Sequence, residues 1–296
     1  MAISKRHHYL PQFYLNGFTN DYGTFAIFDC KNRRLSSKEF VPKAKFYDSR
    51  NLVEFDGVLT DIPEQMYSSV DYRHAELFKN IQSQRDVLNL TLDELFTLQE
   101  FILTTFWRLP SQHEAYDREY VANPAFTKNF KIIHKDTGVA DENVTKSIIF
   151  SEPFKKSIKP FIALARLATE NITDFKNWRF LYNFLGNNIF SDNPVVFRND
   201  PQNDPFSTEF IFPLSKHHLL VKKYKFTTKE QIPKSIMAAI QVLLFSQGEI
   251  YCCCPDREFL ESAFNAPKDF KDAKELLFHT LESDQWLSAI ESGGHL

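Results

Sequence analysis

The apolar residues of this chain change their spacing twice, and that change restricts the possible folds more than any other feature. Thr24–Cys30 alternates around Phe25 and Ile27 and runs into a Lys31-Asn32 turn, the pattern of a strand entering a hairpin. Glu39–Val41 and Asn51–Phe55 read as weaker strands, so residues 1–60 are expected to be β-rich. From Ile62 to about Arg85 the period lengthens. Met66, Val70, Leu77, Phe78 and Ile81 recur at helical spacing. A second helix starts at Thr91, where Thr91-Leu92-Asp93-Glu94 fits a capping box, and Pro110 kinks or ends it. Further helices are expected over 112–121, 142–149 and 154–170. Strands return at Trp178–Tyr182, Asn188–Phe190, Val195–Arg198, Phe210–Leu214, Leu219–Tyr224 and Glu249–Cys254. Among and after these strands, helices are expected over 227–245, 256–264 and 271–279, and the tail 293–296 frays.

These periods predict an α+β fold. N- and C-terminal β-segments form a shared mixed or antiparallel sheet, with a central helical insertion. The 296 residues are read as a single domain with a β-rich part (1–60), a helical part (62–170) and an α+β part (176–296). The opening His7-His8-Tyr9-Leu10-Pro11-Gln12-Phe13-Tyr14-Leu15-Asn16-Gly17-Phe18 reads as a short helix with Pro11 near its first turn.

Composition narrows the function classes. The chain has 8 glycines against 30 phenylalanines, which argues against glycine-rich nucleotide loops. A net charge of −3 gives the whole molecule no strong attraction to polyanions, so nucleic-acid binding would need a local basic patch. Lys216–Lys225 and Lys155–Lys159 are the candidates, and each also fits a solvated face. The run Cys252-Cys253-Cys254 lacks C-x-x-C metal spacing and reads as a buried strand, with no zinc and no disulfide among its three thiols. The first 20 residues have no apolar core of a signal peptide, and no stretch of about 18 apolar residues occurs. With free thiols, this points to the cytoplasm and to no membrane insertion.

Four polar features stand out. His7 and His8 lie on an irregular segment, where one imidazole can ligate a metal or exchange a proton; both can equally cap or pack beneath Tyr9 and Tyr14. Asp192 and Asn193 sit in Ser191-Asp192-Asn193-Pro194-Val195 between two apolar strands. Asp192 projects from a sheet end as a metal ligand or base, or else the motif is an Asx-turn closing a hairpin. Glu64 and Asp71 are two helical turns apart on one face. Arg108, at the end of an apolar helix, can bind phosphate or fasten a carboxylate. There is no H-E-x-x-H, P-loop, G-x-S-x-G or dinucleotide fingerprint.

Taken together, these segments resemble a bacterial family of unknown function with a His-His-x-x-Pro-x-x-x-Leu-x-x-Phe opening, here His7, His8, Pro11, Leu15 and Phe18. The resemblance extends to an acidic helix (Glu64, Asp71), an Arg-x-Pro helix end (Arg108, Pro110), the Ser191–Val195 turn and Pro213–Ser215. Asp71 stands where relatives more often carry Glu. The resemblance implies added weight for the polar motifs. One expectation is a metal-assisted phosphodiester hydrolase, a nuclease-like bacterial toxin or phage-defence effector. His7, His8, Arg108, Asp192 and Asn193 would be its catalytic set. His8, Glu64, Asp71 and Asp192 would hold a divalent metal ion, and nucleic acid would be the partner. The alternative is a non-catalytic protein-binding or regulatory module in which the His-His and Asp-Asn motifs are structural. Both readings expect His7 or His8 to approach Asp192, with Arg108 nearby.

Overall fold

A computed structural model of the chain describes residues 7–48, 53–55, 58–60, 62–112, 114, 133, 137–140, 142–155, 158, 175–201, 204–223, 234–265, 274–275, 277–279 and 281. Along the chain the first elements are β1 (His7–His8), α1 (Gln12–Asn16), β2 (Ala26–Asp29), β3 (Arg34–Leu35), β4 (Tyr47–Asp48), β5 (Val53–Phe55) and β6 (Val58–Thr60). The helices α2 (Ile62–Ser83), α3 (Leu92–Arg108) and α4 (Glu142–Ile149) follow. Then come β7 (Trp178–Tyr182), β8 (Phe190–Ser191), β9 (Val196–Phe197), β10 (Phe210–Pro213) and β11 (His218–Lys222). The chain continues with α5 (Lys234–Ser246), β12 (Tyr251–Cys254) and α6 (Arg257–Asn265). Most of the expected helices over 112–121 and 154–170, the first residues of the one over 227–245, part of the one over 271–279, and the tail 293–296 lie outside the described residues. Among the described residues no helix is long and apolar enough to cross a membrane.

The chain divides into two compact units: Met1–Pro11, Phe46–His74 and Phe96–Ile172 form the first; Gln12–Lys45, Ala75–Leu95 and Thr173–Leu296 form the second. In the first unit β1 pairs antiparallel with β4, and β5 with β6. The His-His pair is therefore extended, not helical as its sequence suggested. Leu10 precedes Pro11, whose ring disfavours the α-conformation just before it, so helix α1 begins only at Gln12. From Leu98 to Arg108 helix α3 is buried on every side, with Phe101, Ile102, Phe106 and Trp107 in the core of this unit.

The second unit carries two antiparallel sheets, in strand orders β3-β2-β12-β8 and β7-β11-β10-β9. The first joins N-terminal β2 and β3 to C-terminal β8 and β12, as the α+β reading required. The strands β8 and β9 flank the Ser191–Val195 motif but belong to different sheets, so the motif is a crossover and not the tip of a hairpin. The helices α5 and α6 supply Ile236, Ile240, Leu244 and Leu260 to a core that also contains Ala26, Phe28, Ile189, Val221, Cys252 and Cys254. As one of the two inner strands, β12 has both faces covered, which is why three consecutive cysteines are all buried. Burial pushes all three thiols above the ordinary cysteine range.

The expected capping box forms in this unit: Thr91 N–H donates to Glu94 Oε2 (2.8 Å), and Glu94 N–H donates to Thr91 Oγ1 (3.3 Å). The basic stretch, by contrast, is not a solvated face where it is described. Lys222 Nζ donates to the carbonyls of Phe206 (2.6 Å) and Thr208 (3.1 Å), Lys223 Nζ to that of Phe278 (2.7 Å), and Lys216 Nζ to that of Thr19 (3.0 Å). Long alkyl stems let these lysines bury their length while each ammonium finds carbonyl oxygens. Lys225 lies outside the described residues. In the first unit Lys155 pairs with Glu152 at 2.8 Å.

Candidate functional site

Among the described residues of the first unit, a group of charges lies where α2 faces α3. Asp71 and His74 are three residues apart on α2, and so share a face. Glu100 and Arg108 are eight apart on α3, a little over two turns. Arg108 grips Asp71 in a fork, with Nη1 3.1 Å from Oδ1 and Nη2 3.4 Å from Oδ2. Its guanidinium also lies over the Tyr67 ring, 4.2 Å from the centroid. Arg73 Nη2 donates to Glu100 Oε1 at 2.9 Å. Between the two carboxylates stands His74, fully buried, with Nδ1 3.8 Å from Asp71 Oδ1 and Nε2 3.3 Å from Glu100 Oε2. The Phe101 ring meets His74 edge-on at 5.4 Å.

The electrostatics follow from the order Arg73, Glu100, His74, Asp71, Arg108. Burial pushes the Asp71 carboxyl up, but Arg108 and His74 outweigh it and hold its pKa below the ordinary value of 3.8. Glu100 behaves alike: burial raises it, while His74 and Arg73 bring it below 4.5. Burial raises the Tyr67 hydroxyl, partly opposed by Arg108. The network therefore keeps two ionised carboxylates against two guanidinium groups across a helix–helix contact. Chemically it can hold the helices in register and keep an imidazole oriented between anions.

Of the residues singled out by sequence, Asp71 and Arg108 meet here. Glu64 lies in the first turn of α2, where its charge acts on Tyr67. In β1, the His8 ring stands edge-on to Tyr47 at 5.7 Å. His7 is buried, and neither of its ring nitrogens has a hydrogen-bond partner among the described residues. His74 and Glu100 escaped sequence reading. The available signal was a pair of polar dipeptides, Gln99-Glu100 and Thr104-Thr105, inside the apolar run of α3.

Asp192 belongs to the second unit and is spent on backbone. Its Oδ1 accepts from the N–H groups of Glu249 (3.2 Å), Ile250 (2.9 Å) and Tyr251 (2.8 Å). Its own N–H donates to the carbonyl of Tyr251 (3.1 Å). Ser191 Oγ donates to the Asn193 carbonyl (2.8 Å) and accepts from the Asn193 N–H (3.2 Å), so the motif closes on itself as well as on β12. Burial raises the Asp192 carboxyl above 3.8, and the backbone donors only partly offset that. Asp192 is thus a clamp on the turn that enters β12. Among the described residues no three His, Cys, Asp or Glu side chains form a group able to hold a metal ion. Of the expected metal set, His8, Glu64 and Asp71 lie in the first unit and Asp192 in the second.

An α+β protein with a buried charge network in one unit and a carboxylate-clamped sheet in the other is the class these observations define. Residues 6–246 match the model of a protein family of unknown function, DUF4238, and the chain belongs to that family. No curated protein and no solved structure matches it.

Proposed function

We propose that the chain is a cytoplasmic, non-catalytic protein-binding or regulatory module whose polar motifs brace its backbone. The observation that carries this reading is the Asp192 carboxylate. Its Oδ1 is given over to three consecutive backbone N–H groups, the bonding of a brace on the turn into β12. The bidentate Arg108–Asp71 fork supports it in the same way, since a guanidinium already matched to a carboxylate is not poised for phosphate. The test is incubation of the purified chain with single- and double-stranded DNA and RNA in Mg²⁺ or Mn²⁺, with metal content measured in parallel. The expected result is no cleavage and no stoichiometric metal. Cleavage that tracks the protein and disappears in a folded Asp71→Asn variant would overturn the proposal.

One observation favours a second reading, a phosphodiester hydrolase of the nuclease type used by toxins or in phage defence. A buried imidazole with neither nitrogen satisfied is costly to keep, and such groups cluster where chemistry is done. On this reading His7 exchanges the proton and Arg108 faces the phosphate. On the same reading a divalent metal ion would assist the hydrolysis. It requires His7→Ala to abolish cleavage while the melting temperature stays within a few degrees of wild type.

A further inference from the structure

Two of the four free cysteines lie side by side in the sheet of the second unit. Cys252 pairs with Phe28 across β12 and β2, and the Cys30 N–H continues the ladder by donating to the Ile250 carbonyl at 3.0 Å. Residues two apart on a strand share a face, so Cys30 lies on the same side as Phe28 and diagonal to Cys252. Their sulfurs are 3.4 Å apart. Gly248 makes the room: a Cβ there would fall 2.2 Å from the Cys252 sulfur and 3.2 Å from that of Cys30. The backbone around the pair is held by the Asp192 clamp on residues 249–251. Cys253 points to the opposite face, and Cys254 donates to the Asn187 carbonyl at 3.3 Å.

The two thiols differ in access. Cys30 is half-buried, whereas the three others are buried. We propose that Cys30 and Cys252 form a reversible intrachain disulfide when the protein meets hydrogen peroxide. The Cys30 thiol gives up its proton, the thiolate attacks one peroxide oxygen and the O–O bond breaks, leaving a sulfenic acid on Cys30 and hydroxide, which takes up that proton and leaves as water. The Cys252 sulfur then attacks the Cys30 sulfur. The S–O bond breaks, and its oxygen leaves as a second water carrying the Cys252 proton. Two thiols lose two electrons, and one peroxide becomes two waters. The sulfurs need to close to about 2.05 Å, within the range of side-chain rotation. Burial pushes the Cys252 thiol well above its ordinary pKa, so it is a poor first nucleophile and acts as the resolving group.

The experiment treats the folded full chain with a modest molar excess of hydrogen peroxide, then alkylates it in denaturant and maps the peptides by mass spectrometry. The expected result is loss of two of the four thiols, a peptide pair joined through Cys30 and Cys252, and recovery of all four thiols with dithiothreitol. Cys30→Ser should keep its three remaining thiols at the same dose. Cys252→Ala should instead accumulate sulfenic acid at Cys30, trapped by dimedone. Because Cys30 is partly exposed, the serine variant remains informative if Cys252→Ala does not fold. Four intact thiols in the treated wild type, a link between chains or within 252–254, or undiminished thiol loss in Cys30→Ser would each overturn the proposal.

Discussion

Asp71 in the first unit and Asp192 in the second are both largely buried aspartates that the sequence singles out as candidate ligands. Their partners separate them. Asp71 faces a guanidinium and an imidazole and is held below the ordinary aspartate pKa. Asp192 faces backbone N–H groups, and burial leaves it above that value. A formal positive charge offsets desolvation here where peptide dipoles do not. The first arrangement ties two helices together; the second fixes the turn from α5 into β12. Similar motifs in sequence therefore brace different kinds of structure.

The strongest way to break this comparison is Asp192→Ala. It strands three N–H groups at a buried turn and should cost about 3–5 kcal/mol in urea unfolding. Asp192→Asn retains an acceptor oxygen and should recover much of that loss. Equal loss in both variants would mean that charge, not hydrogen bonding, makes the clamp. Next in size is Arg108→Ala, which leaves Asp71 without its guanidinium. About 2–3 kcal/mol is expected, below the usual figure for a buried pair because Asp71 keeps some solvent contact. Arg108→Lys should recover only part of it, since a lysine cannot reproduce the fork. Full recovery would reduce the contact to a point charge.

The pH dependence should differ in sign between the two aspartates. Asp71 and Glu100 have lowered folded pKa values, so the stability they contribute is present above the ordinary carboxylate range and is lost as pH falls through the lowered values. Asp192 is raised, so its contribution is full below 3.8 and declines as pH rises through the raised value. Urea unfolding across acid pH should show Asp71→Asn flattening the acid loss and Asp192→Asn steepening it. The same sign of change in both would contradict the assignment. The smallest effect is expected at the exposed Thr91 cap, where Thr91→Ala should cost about 1 kcal/mol by the same urea measurement.

Much of the fold was legible because it depends on local period and capping. The boundaries of α4 agree with the expected 142–149, the Thr91 box caps α3, and β7 spans the expected Trp178–Tyr182. The site was less so. The Arg108–Asp71 contact joins residues 37 apart, and no local pattern encodes which carboxylate an arginine will meet. His74 and Glu100 carried only the weak signal of polar residues on buried helix faces.

By itself the sequence determined most of the strand and helix segments, though not the extended His7-His8 pair, and that N- and C-terminal strands would share a sheet. Periodicity and capping are short-range, so one chain suffices to express them. Only the tertiary structure decided that Ser191–Val195 crosses between sheets, that Asp192 is consumed by backbone, that the lysines of 216–223 turn inward and that Cys30 lies beside Cys252. Each depends on which distant backbone atom comes within about 3 Å of a side chain, and that is set by the pairing of strands, not by the residues adjoining it.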